Sequence, residues 1–202
     1  MPNAADSMPP TGQTLQRAFD ALVDTLNERK IRYAIIGGLA MIQHSRVRTT
    51  DDIDALLTIP QIAMAGFFEA LQARGFAVEL VKNIRELRDK GLTTIEFEDV
   101  VVDLMQPVLP AYAHVLDRAV DAKILGHDVR VSSAEGLIVM KLIASRPMDE
   151  SDIQDLLSAY GSELDLPYVR AELDSIMEDG DPRRAKFEAW IRDGIGGTSP
   201  NS

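Results

Sequence analysis

Leu15, Phe19, Leu22, Val23 and Leu26 recur at three- and four-residue spacing. Residues so spaced share one face of a 3.6-residue turn, which predicts an amphipathic helix over 13–29. The period then changes. A short apolar run at 33–36 ends in Gly37-Gly38 and reads as a buried strand, 39–45 as a helical segment and 53–59 as a second strand. Pro60 suits the first turn of a helix over 61–74, with Gly75 as its C-terminal cap. The run 76–81 reads as a third strand, and 93–97 with 100–105 as two more, joined by the tight acidic turn Glu98-Asp99. Pro107 and Pro110 mark a break before a short helix near 111–119. The segments 122–125 and 128–131 form a hairpin pattern turning at Gly126-His127.

From Ser132 onward the pattern is helical throughout. Ser132-Ser133-Ala134-Glu135 supplies an N-cap and a capping carboxylate for a helix that carries Leu137, Met140, Lys141 and Ala144 and ends by Pro147. Further helices are expected over 149–160, 167–177 and 182–192. The expected fold class is α/β, more narrowly α+β. A mixed β-sheet flanked by helices spans residues 11–131, and a helical C-terminal region, 132–193, packs on it. The Pro-rich residues 1–10 have the composition of a disordered tail, and the Gly- and Ser-rich residues 194–202 that of a loose one.

With 202 residues and 46% apolar content, the chain can bury a substantial core. No apolar run approaches the roughly 20 residues that span a bilayer. The first residues lack the basic-then-apolar order of a signal peptide, so a cytoplasmic location with no membrane partner is expected. The absence of cysteine excludes disulfides, a thiolate nucleophile and Cys-ligated zinc. A formal charge of −11 argues against broad, non-specific nucleic-acid binding. The local exception is Lys82, Arg85, Arg88 and Lys90, at about helical intervals, a pattern more common on a solvated helix face.

Candidate chemistry concentrates in two stretches. Asp52 and Asp54 are two apart on an expected strand, so both side chains leave the same face. Two carboxylates held together repel unless a cation lies between them, and oxygen donors suit Mg²⁺. Gly37-Gly38, opening a helix just upstream, offers backbone N–H groups to a phosphate. Asp103 sits on the apolar strand Val100-Val101-Val102-Asp103-Leu104, where an unpartnered charge is costly. Asp51 points the other way, towards solvent. The bland reading of Asp-x-Asp is a surface turn with solvated acids. Asp149 and Asp152 lie one turn apart at the start of a helix; capping explains Asp149, and Arg146 reads as the partner of one of the two. His44, read in the loop approaching Arg48, is a weaker candidate for substrate contact, and His114 and His127 are too scattered for a zinc site.

Strand, Gly37-Gly38, short helix, then Arg48-Thr49-Thr50-Asp51-Asp52-Ile53-Asp54 resembles the opening motif of the nucleotidyltransferase superfamily, the DNA polymerase beta-like fold. Val102-Asp103-Leu104 matches its third carboxylate. Lys141 followed by Arg146-Pro147-Met148-Asp149-Glu150-Ser151-Asp152 is similar to its Lys-then-Arg-x-x-Asp-x-x-Asp pattern. The likeness is greatest to the minimal proteins that include AbiEii-type toxins, and covers about residues 32–157. The resemblance implies that Asp52, Asp54 and Asp103 are catalytic and bind two Mg²⁺ (or Mn²⁺) ions. Asp103 would also act as, or position, the base for the attacking hydroxyl. It implies that Gly37, Gly38, Arg48, Thr50 and Lys141 bind the nucleotide, with Lys141 open between a phosphate contact and a snorkelling helix lysine. Relatives often carry Ser where Gly38 stands.

The expected function is therefore metal-dependent transfer of a nucleoside monophosphate from an NTP such as ATP to a hydroxyl acceptor. The acceptor is open among tRNA, a protein side chain and a small molecule such as an aminoglycoside. The AbiEii likeness adds a toxin with an antitoxin partner. The alternative is a non-catalytic nucleotide-binding or interaction protein of the same fold.

Overall fold

Helix α1 (Gly12–Glu28) leads into strand β1 (Arg32–Ile36), α2 (Gly37–His44), β2 (Asp52–Thr58), α3 (Gln61–Ala73) and α4 (Leu80–Lys90). Strands β3 (Leu92–Phe97) and β4 (Val100–Met105), helix α5 (Pro110–Asp117) and strands β5 (Val120–Ile124) and β6 (His127–Val131) follow. Helices α6 (Ala134–Ala144), α7 (Pro147–Tyr160), α8 (Leu166–Ile176) and α9 (Pro182–Gly196) complete the chain. This computed structural model describes residues 12–44 and 50–196, with side chains to 193. Arg48 and the expected disordered tail, 1–10, lie outside the described residues, as does most of the expected loose tail. α9 runs on to Gly196, into the stretch expected to be loose.

The strands form one mixed sheet in the order β3-β4-β2-β1-β6-β5. β2 runs parallel to β4 and antiparallel to β1. β1 runs parallel to β6, while β3–β4 and β5–β6 are antiparallel hairpins. The stripe on α1 is fully buried at Ala18, Phe19, Leu22, Val23 and Leu26, and the helix packs against β4, β6 and α3. Burial of each large apolar side chain there contributes about 1.5–3 kcal/mol. Ile53, Ala55 and Leu57 on β2 share their buried face with Val102 and Leu104 on β4. The opposite face carries Asp52 and Asp54, and α5, α6 and α7 lie on that side of the chain's path.

The strand expected at 76–81 does not form. Only Ala77 bridges to β3, at Glu96, and helix α4 takes over at Leu80. Leu80, Ile84 and Leu87 fall at helical spacing against the core. Asn83 accepts the Glu79 N–H at 2.7 Å and donates to Thr93 Oγ1 at 2.9 Å, tying the first turn of α4 to β3. Those contacts outweigh the alternation of Phe76, Val78 and Leu80 that reads as a strand. The β5–β6 hairpin turns one residue earlier than expected. Leu125 and Gly126 both take positive φ (47° and 85°) between the paired Ile124 and His127, as a two-residue turn of the right twist requires.

Candidate active site

Asp54 of β2 pairs in register with Asp103 of β4, and Asp52 follows two residues along the same face. On the far side of β4, Thr94 of β3 is in register with Asp103. On the far side of β2, Ile36 of β1 is in register with Asp54. Thr94, Asp103, Asp54 and Ile36 therefore form one transverse row, ending at the Gly37-Gly38 turn. Thr94 donates its hydroxyl to Asp103 Oδ1 at 2.6 Å, and Thr50 donates to Asp52 Oδ1.

The turn is built for close approach. Gly37 has φ +61°, and a Cβ there would lie 1.8 Å from Asp54 Oδ2. A Cβ on Gly38 would lie 2.3 Å from Thr50 Oγ1. The Thr50 hydroxyl thus fills the space that a serine at position 38 would need, which accounts physically for the glycine. The Gly38 N–H bonds the Asp54 carboxylate, so the donor expected for a phosphate serves an acid of the site here.

Burial, and then the charges of Asp52 and Asp103, push the Asp54 carboxyl up from 3.8 to about 6, against the opposing pull of Arg146 and the Gly38 N–H. The donors in the row are carboxylate oxygens, a set whose chemistry fits a hard divalent ion. Asp52 and Asp103 are each turned towards a threonine. Among the described residues no three acidic or imidazole side chains converge into a ready-made metal cluster, as repulsion between unscreened carboxylates favours.

A cleft of about 210 Å³ opens above the row, bounded by Gly37, Asp54 and Asp103 on one side and by Tyr112, Met140 and Arg146 on the other. Lys141 lines it too, but its ammonium is held by Asp152 and, at 3.3 Å, by Asp149, and its side chain is only 7% exposed. It is neither snorkelling nor free in the cleft. Arg146 is the exposed cation on that wall, 72% open. Its charge acts on Asp54 and Asp52, and its guanidinium and backbone N–H bond the Asp149 carboxylate. Burial alone would raise the Asp149 carboxyl, but Arg146 and Lys141 together bring it below its ordinary value. Asp149 thus caps α7 as its position implies. His44 is the last residue of α2 rather than part of a loop. Its Nε2 donates to the Ser132 carbonyl and its Nδ1 accepts from Tyr160, a structural tie between α2, α7 and the sheet. His114 and His127 pair with Glu172 and Asp20, away from the row.

Sequence reasoning missed Thr94 and Tyr112 and placed Arg146 only as an ion-pair partner of Asp149 or Asp152. Thr94 was within reach: Phe97 and Val100 close the Glu98-Asp99 turn, and counting three pairs back from them sets Thr94 opposite Asp103. Tyr112 carried no such signal, because its approach to the row depends on how α5 docks.

The sequence matches, over residues 13–190, the family described as "Nucleotidyltransferase of unknown function (DUF6036)". The chain belongs to this DUF6036 family. None of the curated proteins matches it. Among solved structures it is similar to the solution structure of the antibiotic-resistance factor ANT(2'')-Ia. The identity is 19% and the TM-score 0.57, over 89% of this chain and 97% of that one. It is also similar to the crystal structure of ANT(2'')-Ia in complex with adenylyl-2''-tobramycin (17%, 0.56, covering 82% and 98%). A third is an antigenic nucleotidyltransferase-like protein from Paracoccidioides brasiliensis (17%, 0.50, covering 93% and 96%). At these identities the likeness is one of fold, and the DUF6036 chain shares the nucleotidyltransferase architecture. No described helix is long and apolar enough to cross a membrane.

Proposed function

We propose that this DUF6036 protein is an enzyme that moves a nucleoside monophosphate from an NTP to a hydroxyl acceptor, with Mg²⁺ or Mn²⁺ as its metal. The observation that carries the reading is the in-register pair Asp54–Asp103, with Asp52 on the same face and the Gly37 turn at the end of the row. Asp52, Asp54 and Asp103 are the residues that would hold the ions. Bound there, two divalent ions would neutralise charge building on the attacking and leaving oxygens of an in-line displacement at phosphorus. Asp103, on the side of Asp54 away from the glycines, takes the proton of the attacking hydroxyl or positions it. Gly37 and Gly38 let the phosphates approach the backbone, Thr50 orients Asp52, and Arg146 draws the triphosphate into the cleft. Arg48 contributes a further phosphate contact, while Lys141 serves the site by holding Asp149 and Asp152 under Arg146.

A small hydroxyl-bearing molecule is favoured over tRNA as the acceptor. Three of the four basic residues of α4 are offset by their own neighbours, Lys82 by Glu79, Arg88 by Asp89 and Lys90 by Glu86, which leaves Arg85 with no such pairing among the described residues. They do not form the open basic face that polynucleotide binding needs. The solved structure of ANT(2'')-Ia with adenylyl-2''-tobramycin has the same fold with such a molecule. Incubation with each α-labelled NTP, Mg²⁺ and either a small-molecule extract or total tRNA tests the reading. Label is expected in a small hydroxyl compound. Label in tRNA would point to the toxin role and an antitoxin partner. No transfer under any condition, with NTP binding intact, would favour the non-catalytic alternative.

Thr94 positions Asp103. Thr94→Val is expected to lower kcat about ten- to a hundredfold, the worth of one hydrogen bond to a charged group, with little change in the KM for NTP. Thr94→Ser is expected to restore kcat. Steady-state kinetics of the three proteins check this, and a change confined to KM would contradict it.

A further inference from the structure

The cleft has two unlike ends. One is polar, with Gly37, Asp54, Asp103 and Arg146. The other begins one same-face row further along β3 and β4, at the paired Leu92 and Met105, and the apolar side chains Tyr112, Leu137 and Met140 line the same cleft. A triphosphate and its cations need only the first. We infer that the apolar end is the seat of the nucleobase, with the Tyr112 ring as its stacking platform, an inference that rests on the nucleotidyl-transfer reading.

Tyr112 stands in the first turn of α5, which the break at Pro107 and Pro110 turns back over the sheet; its N–H bonds the Leu109 carbonyl at 3.0 Å. Ala111 next to it is fully buried, which anchors that turn, while Tyr112 itself is only half-buried and borders the cleft. Burial raises its phenol above the ordinary value, and the Arg146 charge works against the rise. Tyr112 and Arg146 thus line one cleft, near enough for the Arg146 charge to be felt at the phenol. A nucleotide is bipartite in the same order, a flat π-surface joined through a sugar to a polyanion. Met140 of α6 and Met105 of β4 line the same cleft, and thioether side chains adapt to rings of different outline. Stacking on such a wall tolerates every base, because every base has a π-face. The structure therefore assigns affinity, rather than choice among the four bases, to Tyr112.

Isothermal titration of the full chain with Mg²⁺ and each of the four NTPs, against inorganic tripolyphosphate, separates the two ends. Tyr112→Ala is expected to weaken every NTP about tenfold and leave tripolyphosphate unchanged, while Tyr112→Phe keeps wild-type affinity for both. Unchanged NTP affinity in Tyr112→Ala overturns the inference, as does tripolyphosphate weakened in step with the NTPs. Wild-type protein that binds tripolyphosphate as tightly as any NTP overturns it while leaving the phosphate end standing. Wild-type protein that binds neither overturns the nucleotidyl-transfer reading itself.

Discussion

Asp54→Asn is expected to abolish transfer and, at the same time, to make the folded protein more stable at neutral pH. On the proposed function Asp54 is one of the carboxylates that would hold the metal, and its loss would remove several kcal/mol of transition-state stabilisation, a fall in kcat on the order of a thousandfold or more. The stability change has the opposite sign. The Asp54 carboxyl titrates at about 6 in the folded protein rather than at 3.8, because burial and the charges of Asp52 and Asp103 disfavour its ionised form. Between about pH 4 and pH 6 the unfolded chain has lost this proton while the folded chain keeps it, so stability falls as pH rises through that window. Above pH 6 the full cost is present, about 2–3 kcal/mol from the usual 1.36 kcal/mol per pKa unit. Asparagine carries no such cost. Thermal melts should show Asp54→Asn above wild type at pH 7.5, with the gap closing towards pH 4. Mg²⁺ should raise the Tm of wild type and leave that of Asp54→Asn nearly unmoved. Equal melting temperatures for the two proteins at pH 7.5 would contradict the electrostatic account of this site.

Lys141→Met is expected to destabilise the fold by about 3–5 kcal/mol, the usual consequence of removing one member of a buried ion cluster. The ammonium bridges Asp149 and Asp152, whose side chains are 3% and 8% exposed, and thereby ties α6 to the first turns of α7. Asp149 keeps its bonds to Arg146, which sets the loss nearer the lower figure. The combined variant Lys141→Met, Asp149→Asn, Asp152→Asn is expected to recover most of the stability, since it removes the two carboxylates together with the ammonium that bridges them. Urea titrations of the three proteins measure this directly. At a temperature where Lys141→Met is still folded, its KM for NTP should stay close to that of wild type, because the ammonium is engaged by the two carboxylates. A large rise in KM with unchanged stability would restore Lys141 as a triphosphate contact.

Much of this architecture is legible along the chain wherever one period holds. The stripe of α1, the alternation on β2 and β4, and the cap before α6 each need only local residues. Asp52 and Asp54 share a face by strand geometry alone. What failed is the segment 76–81, where alternation and helical spacing overlap in the same few apolar residues. Its outcome was decided by Asn83 reaching β3, a contact between residues ten apart. Lys141 was ambiguous for a related reason. Its partners lie on the next helix, and only the angle at which α7 packs decides whether the ammonium meets carboxylates or open cleft. Tyr112 and Arg146 are placed by that same packing, so their relation to the aspartates could not be read from spacing.

The carboxylate row joins strands that are not neighbours in the chain. β4 inserts between β3 and β2, and Asp103 comes beside Asp54 only once that insertion is complete. The facing wall, from Tyr112 to Arg146, arrives later still in synthesis. A ribosome-bound fragment ending before β4 would carry Gly37, Asp52 and Asp54 but lack both Asp103 and the wall opposite. On the proposed function, transfer therefore awaits synthesis through Arg146, and a fragment that stops before β4 lacks the site.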